Sequence, residues 1–340
     1  MIKEGQIEGI KFEPEKGEDY KEADERKLIK LGITPDDIEK LENPEKGGAS
    51  SMVYFIEKEG KKMVVKKGVD TDPNEKSARE YVILRLLAQR AGKKVSPSPY
   101  YHNANKDLII TERIEGEPVK ELSTDDLEKI ASALAAVHQP EFNRFGLPFQ
   151  KRKEGNQYER LVEQTDFLNN WFLEMAPLIK QRGEEFYLAL EKIKDALLLK
   201  AEEAKDYFQD NSFSLIHYDL NPSNIIKDKE GNILFLDWRQ ASIGDRAADI
   251  AKLFYKNYLD EDQRKTFFNS YSQTINDSNI KQRVEVYYPL IRLGSILWRL
   301  RFLNVDSKKH PQLLKNTDSK LIESRLDDDY NYLLSIINTK

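Results

Sequence analysis

Apolar and polar positions alternate in different ways along this chain, and the sharpest pattern lies between Leu215 and Trp238. Leu215-Ile216 runs into a polar loop, His217-Tyr218-Asp219-Leu220-Asn221-Pro222-Ser223-Asn224, and Ile225-Ile226 follows it. After the turn Lys229-Glu230-Gly231-Asn232, the run Ile233-Leu234-Phe235-Leu236 ends at Asp237-Trp238. Short apolar runs on either side of a Gly-Asn turn predict a small hairpin. Upstream, residues 52–56 and 63–67 read as strands joined at Lys58-Glu59-Gly60-Lys61. A helix is predicted from about Pro73 to Ala91, with Ala78, Tyr81, Val82, Leu84, Leu86 and Leu87 as its apolar stripe. Ser96-Pro97-Ser98-Pro99 breaks the chain, and residues 107–111 form a buried strand. From Thr124 to Trp298 the spacing is mostly helical. Thr124-Asp125-Asp126 caps a helix that runs through Leu127, Ile130, Leu134 and Val137. Two long amphipathic helices between Tyr158 and Phe208 are broken near Gln181-Arg182-Gly183. Helical stretches at 287–302 and 321–337 close the chain. Residues 1 to about 45 are charged and weakly periodic, apart from a short helix announced by Thr34-Pro35-Asp36-Asp37.

Length and charge narrow the class. The 340 residues can bury a sizeable core and form two lobes or domains. Against 59 Asp and Glu stand 54 Lys and Arg, a net charge of -5, which gives no reason to expect nucleic acid or an anionic membrane as partner. With no cysteine, disulfides, zinc-thiolate sites and thiol nucleophiles are excluded. The start of the chain lacks an apolar signal core, and no apolar run approaches membrane length. The expectation is a soluble cytoplasmic protein.

The chemistry sits on the hairpin. His217-x-Asp219, Asn224 five residues on and Asp237 at a strand end make up the constellation that phosphoryl transfer from Mg-ATP requires. One aspartate takes up the proton of the acceptor hydroxyl, while the asparagine and the other aspartate hold the metal against the phosphates.

His217-x-Asp219-x-x-x-x-Asn224 followed by Asp237-Trp238 resembles the aminoglycoside phosphotransferase and choline kinase family, which is similar in fold to protein kinases. The resemblance covers about residues 41–303. It implies an α+β, two-lobed fold: an N-terminal extension (1–41), an N-lobe with hinge (42–116) and a mostly helical C-lobe (117–340). It also implies ATP and Mg²⁺ as cofactors, with Asp219 as the catalytic residue and Asn224 and Asp237 as metal ligands. In the family, a turn such as Gly47-Gly48-Ala49-Ser50-Ser51 covers the phosphates, because glycine lets backbone N–H groups come close. Met63-Val64-Val65-Lys66-Lys67 is similar to the kinase strand whose lysine reaches the phosphates. By that match Lys66 points inward, Glu80 of the next helix holds it, and alternation sends Lys67 to solvent. Glu112-Arg113-Ile114 resembles the hinge, with the Glu112 carbonyl and the Ile114 N–H offered to adenine. Asp249 resembles the helix-start aspartate that anchors the catalytic loop, with His217 as a further support, and His138 is expected to be a hydrogen-bonded packing residue.

Two departures bear on the acceptor. Tyr218 occupies a position where Gly, Arg or Asn is usual, and Arg239 one where an acid often follows Asp-Trp, which weakens the case for a polycationic acceptor. The acid run Asp327-Asp328-Asp329 either faces a cationic acceptor or forms a solvated face. Only 11 residues lie between Asp237 and Asp249, too few for an activation segment, so a small-molecule hydroxyl is expected rather than a protein. Aminoglycoside, amino alcohol, sugar and related metabolites all remain open as acceptors. The rival readings are a nucleotide-binding scaffold or sensor without catalysis and, with less support, a protein kinase.

Overall fold

The computed structural model describes residues 25–42, 44–47, 51–68, 76–146, 153–304 and 318–338. The chain divides into two compact units. One comprises Met1–Lys153, Ser214–Ile243 and Leu259–Asn276, the other Glu154–Phe213, Gly244–Tyr258 and Asp277–Lys340.

The first unit is built on a five-stranded antiparallel sheet. Its order is β1 (Lys46–Gly47), β2 (Ser51–Lys58), β3 (Lys61–Gly68), β5 (Leu108–Glu112) and β4 (Pro99–Asn103). Glu59 (φ 50°) and Gly60 (φ 73°) turn β2 into β3, and this doubly positive pair matches the twist of a tight hairpin. Alternation places Met63, Val65 and Lys67 on one face of β3 and Val64 and Lys66 on the other. The first face is covered by the N-terminal segment with α1 (Glu25–Ile29) and α2 (Pro35–Glu39). Leu28, Leu31, Ile33 and Ile38 join Tyr54, Met63, Val65, Tyr101, Leu108 and Ile110 in one apolar cluster. A capping box between Thr34 and Asp37 starts α2.

Lys67 therefore does not run into solvent as expected. Its ammonium donates to the Ile38 carbonyl at the end of α2 and lies 5.4 Å from the Tyr54 ring centroid, and burial pushes its pKa down. The strand period gives the correct face, but it carries no information about which distant segment covers that face.

The opposite face meets α3 (Lys76–Arg90), whose expected stripe is buried throughout; the predicted start at Pro73 lies outside the described residues. Asp107 ties α3 to the sheet, its backbone carbonyl accepting from Gly68 N at 2.8 Å and its carboxylate from Ser77 N at 3.0 Å. Tyr81 of α3 stacks on His102 of β4 with ring centroids 4.2 Å apart.

Beyond β5 the chain forms β6 (Gly116–Pro118) and α4 (Thr124–His138). The cap of α4 is Ser123, whose Oγ accepts from Asp126 N at 3.1 Å, so Thr124 is the first helical residue and not the cap. Short strands β7 (Glu141–Phe142), β8 (Arg144–Phe145), β9 (Lys153–Glu154) and β10 (Phe213–Ile216) precede the predicted hairpin. That hairpin is β11 (Ile225–Asp228) against β12 (Ile233–Phe235), with Ile225 opposite Phe235. Local periodicity did not reveal β6 as its third strand, Gly116 lying opposite Asp228. A Cβ on Gly116 would come within 2.3 Å of the Lys227 carbonyl, so this pairing depends on glycine. His138, buried at the end of α4, shares a 2.8 Å hydrogen bond with the Tyr271 hydroxyl, as its packing role predicts.

The second unit is helical, apart from short edges such as β13 (Ser242–Gly244) at its boundary. It contains α5 (Gln157–Lys180), α6 (Glu184–Glu203), α7 (Arg246–Lys256), α9 (Ile280–Leu303) and α10 (Ser319–Asn338); α8 (Glu261–Tyr271) belongs to the first unit. The break between α5 and α6 falls at Gly183 (φ 118°), as predicted. Helix α9 starts at Ile280, ahead of the expected 287, and continues through Pro289.

Two buried charge clusters hold these helices together. Asp245 caps α7 and accepts from Arg283 Nε at 3.0 Å, and Asp277 accepts from Arg283 Nη2 at 2.7 Å. Asp329 accepts from Arg292 Nη1 (2.7 Å), from the Tyr255 hydroxyl (2.8 Å) and from Arg299. Neither expectation for the acid run holds at Asp329, which is buried as the anchor of α10, while Asp327 stays exposed. Among the described residues no helix is long and apolar enough to cross a membrane.

Candidate active site

The hairpin loop is organised by His217, which is fully buried and packed against Trp238 at 4.4 Å between ring centroids. Asp219 N lies 3.2 Å from His217 Nδ1, so Nδ1 accepts and Nε2–H donates to the Leu236 carbonyl at 2.8 Å. One imidazole thus ties the start of the loop to the end of β12. Asn224 makes the second tie: its Nδ2 donates to the Asp219 carbonyl (2.9 Å) and lies 3.4 Å from Asp219 Oδ2, and its carbonyl accepts from Leu236 N (2.8 Å). With the amide nitrogen so engaged, Oδ1 is the atom that Asn224 offers to a cation.

Tyr218 (φ 63°) and Asp237 (φ 64°) both lie in the left-handed region. That conformation suits Gly or Asn at position 218, and Tyr218 occupies it against the usual steric cost. At 237 it turns the carboxylate out of the strand path at the end of β12.

Lys66 Nζ sits 2.6 Å from Glu80 Oε1 and 3.5 Å from Asp237 Oδ1, so β3, α3 and the hairpin converge on one ammonium. Burial alone would push its pKa down; the carboxylates of Asp237 and Glu80 outweigh burial and hold it above the ordinary lysine range. Reciprocally, Lys66 holds the Asp237 carboxyl below its ordinary range against the opposing effect of burial, with Arg239 adding to the depression. Asp237 and Asn224 are hard oxygen donors of the kind Mg²⁺ takes, and Mg²⁺ keeps several waters and phosphate oxygens beside few protein ligands. Among the described residues, no group of three or more His, Cys, Asp or Glu is arranged to hold a metal ion.

The remaining expected residues lie on other elements. Ser51 opens β2 opposite Gly68, and Gly47 ends β1 opposite Met52. Gly48 and Ser50 lie outside the described residues. Glu112 closes β5, and its carboxylate bonds to Lys94 (2.6 Å) and to Ser98 N (3.1 Å). Ile114 follows, half-buried. Asp249 is buried in α7 of the second unit.

Sequence reading did not place Arg239 in the site. Its Nε lies 3.4 Å from Glu80 Oε2, and both side chains are almost fully buried. The only local signal was the anomaly already noted, a cation where an acid is common.

The family model of the APH phosphotransferase enzyme family matches residues 43–282, well over half of the chain, and the chain belongs to that family. Its fold is shared with choline kinase LicA from Streptococcus pneumoniae: TM-score 0.59 and 19% identity, covering 92% of this chain and 97% of LicA. A thermostable mutant of aminoglycoside phosphotransferase APH(4)-Ia, solved with ADP and hygromycin B, aligns with TM-score 0.60 and 16% identity, over 89% of this chain and 96% of its own. In sequence, protein kinase OspG of Shigella flexneri is 26% identical over 160 residues, 42% of this chain and 76% of OspG. The chain is accordingly a phosphotransferase with a kinase-like fold.

Proposed function

We propose that this enzyme moves the γ-phosphoryl group of ATP to a hydroxyl of a small molecule. The observation that carries the reading is the convergence of Lys66, Glu80 and Asp237, next to a loop in which His217 and Asn224 fix Asp219. In this reading Lys66, held by Glu80, binds and orients the phosphates. Asp219 aligns the acceptor hydroxyl and takes up its proton as the new O–P bond forms. The bond from the γ-phosphorus to the bridging oxygen breaks, and ADP leaves with that oxygen. Asp237 and Asn224 hold Mg²⁺. Bound there, Mg²⁺ supplies charge neutralisation on the phosphates. Positioning and fixed charge carry the rate, because phosphoryl transfer asks little covalent chemistry of the protein. The segment 112–114 offers main-chain groups to the base, and Gly47 and Ser51 offer backbone N–H groups to the phosphates.

A small acceptor is favoured over a protein by the short path from Asp237 through the turn at Trp238–Gln240 and β13 into α7, which leaves no activation segment. The OspG likeness is the reason to test proteins as well. The experiment is ATP consumption with Mg²⁺ against a panel of aminoglycosides, amino alcohols, sugars and protein substrates. Turnover with a small hydroxyl compound is expected. Labelling of protein Ser, Thr or Tyr with no small molecule modified would overturn the reading.

A further inference from the structure

We infer that Arg239 is a positioning residue for the nucleotide phosphates, acting through Glu80. This inference rests on the nucleotide reading above. Glu80 is 1% exposed and divides its carboxylate: Oε1 takes Lys66 (2.6 Å) and lies 3.4 Å from Trp238 N, and Oε2 takes Arg239 Nε (3.4 Å). A return contact runs from Arg79 Nη1 to the Arg239 carbonyl at 3.2 Å, so adjacent residues of α3 grip the turn that follows Asp237 from both sides.

The charges decide what this arrangement does. Without Arg239, and before any Mg²⁺ joins Asp237, the cluster of Lys66, Glu80 and Asp237 would carry one cation against two carboxylates and present net negative charge to a polyanion. Arg239 brings the cluster to neutrality. It compensates Glu80 from the buried side, so Glu80 anchors Lys66 without cancelling the ammonium charge that the phosphates meet. The guanidinium suits this place because its fork can hold a carboxylate edge. An acid at position 239 would do the reverse.

Such a role depends on ligand charge, which separates it from support of the fold. Removing one positive charge weakens ATP binding more than AMP binding, because more phosphate charge faces the cluster. Loss of α3 packing would weaken both alike. The test uses the full chain and titrates ATP and AMP, each at low and high salt, with wild type, Arg239→Gln and Arg239→Lys. For Arg239→Gln the ratio of AMP Kd to ATP Kd should fall about tenfold, the scale of one unit charge near the phosphates at moderate dielectric, and the fall should shrink at high salt. Arg239→Lys keeps the charge and should keep the ratio within about threefold of wild type. An equal loss for the two nucleotides in Arg239→Gln, or a fall in the ratio for Arg239→Lys as large as for Arg239→Gln, overturns the inference. Should Arg239→Gln fail to fold, Arg239→Lys decides alone: a retained ratio supports the inference and a tenfold fall overturns it. Absence of nucleotide binding by the wild type would instead strike the proposed function.

Discussion

Adjacent lysines on β3 separate nucleotide binding from folding. Lys66 faces α3 and the hairpin, and Lys67 faces the N-terminal segment. Lys66→Met should leave the fold nearly intact, because Glu80 keeps Arg239 and Trp238 N as partners. What it loses is a charged donor to phosphate, worth about 1.5–3 kcal/mol, or about 10- to 150-fold in ATP affinity. Lys67→Met should do the opposite. It removes a hydrogen bond to the Ile38 carbonyl and a cation–π contact with Tyr54. Together these are worth about 1–2 kcal/mol, which lowers Tm by about 1–3 °C, with ATP affinity unchanged. Both quantities come from one thermal-denaturation series with and without Mg-ATP. Equal loss of ATP affinity in the two variants would show that the strand phase does not select the phosphate-binding lysine.

The buried clusters of the second unit yield two more predictions. Asp329→Ala strands the Arg292 and Arg299 guanidinium groups and should cost about 3–5 kcal/mol in chemical denaturation, while Asp327→Ala, at an exposed site, should change stability by about 0.5 kcal/mol or less; equal effects would refute the anchoring role. Burial, with the Asp329 carboxylate beside it, pushes the Tyr255 phenol up to about 12, so the unfolded chain, near 10, deprotonates first. The associated stability is fully present below about pH 10 and is lost as pH rises toward 12, a fall of about 2–3 kcal/mol that Tyr255→Phe should abolish in urea titrations at pH 8, 10 and 11.5; an unchanged alkaline fall in the variant would refute it.

Strong local signals made part of this molecule legible in its sequence. The hairpin 215–238 announces itself through apolar runs, a turn and polar residues at fixed offsets, all within one short stretch. Lys66 and Glu80 are 14 residues apart on neighbouring elements, and it is the resemblance to the kinase strand and helix that pairs them. Contacts between distant segments were not legible. Arg239 and Glu80 are 159 residues apart, and no periodicity links them. The cover over Lys67 comes from a weakly periodic segment whose Leu28, Leu31, Ile33 and Ile38 are too sparse to declare an element, although they complete an apolar cluster. Asp329 looked like part of a charge run because its partners, Arg292, Arg299 and Tyr255, lie on two other helices.

The central claim assigns different work to two aspartates, and nucleotide binding can be read before the acceptor is known. Ligand binding to the folded state raises stability by about 2.7 kcal/mol at a hundredfold excess over Kd, or about 4 °C in Tm for a chain of this length. Asp219→Asn keeps Lys66, Asn224 and Asp237 in place and should retain most of the Mg-ATP shift while losing phosphoryl transfer. Asp237→Asn removes the carboxylate that faces Lys66 and would hold Mg²⁺, and should lose most of the shift. A shift abolished in Asp219→Asn and preserved in Asp237→Asn would reverse the assignment, and no Mg-ATP shift in the wild type would contradict the account as a whole.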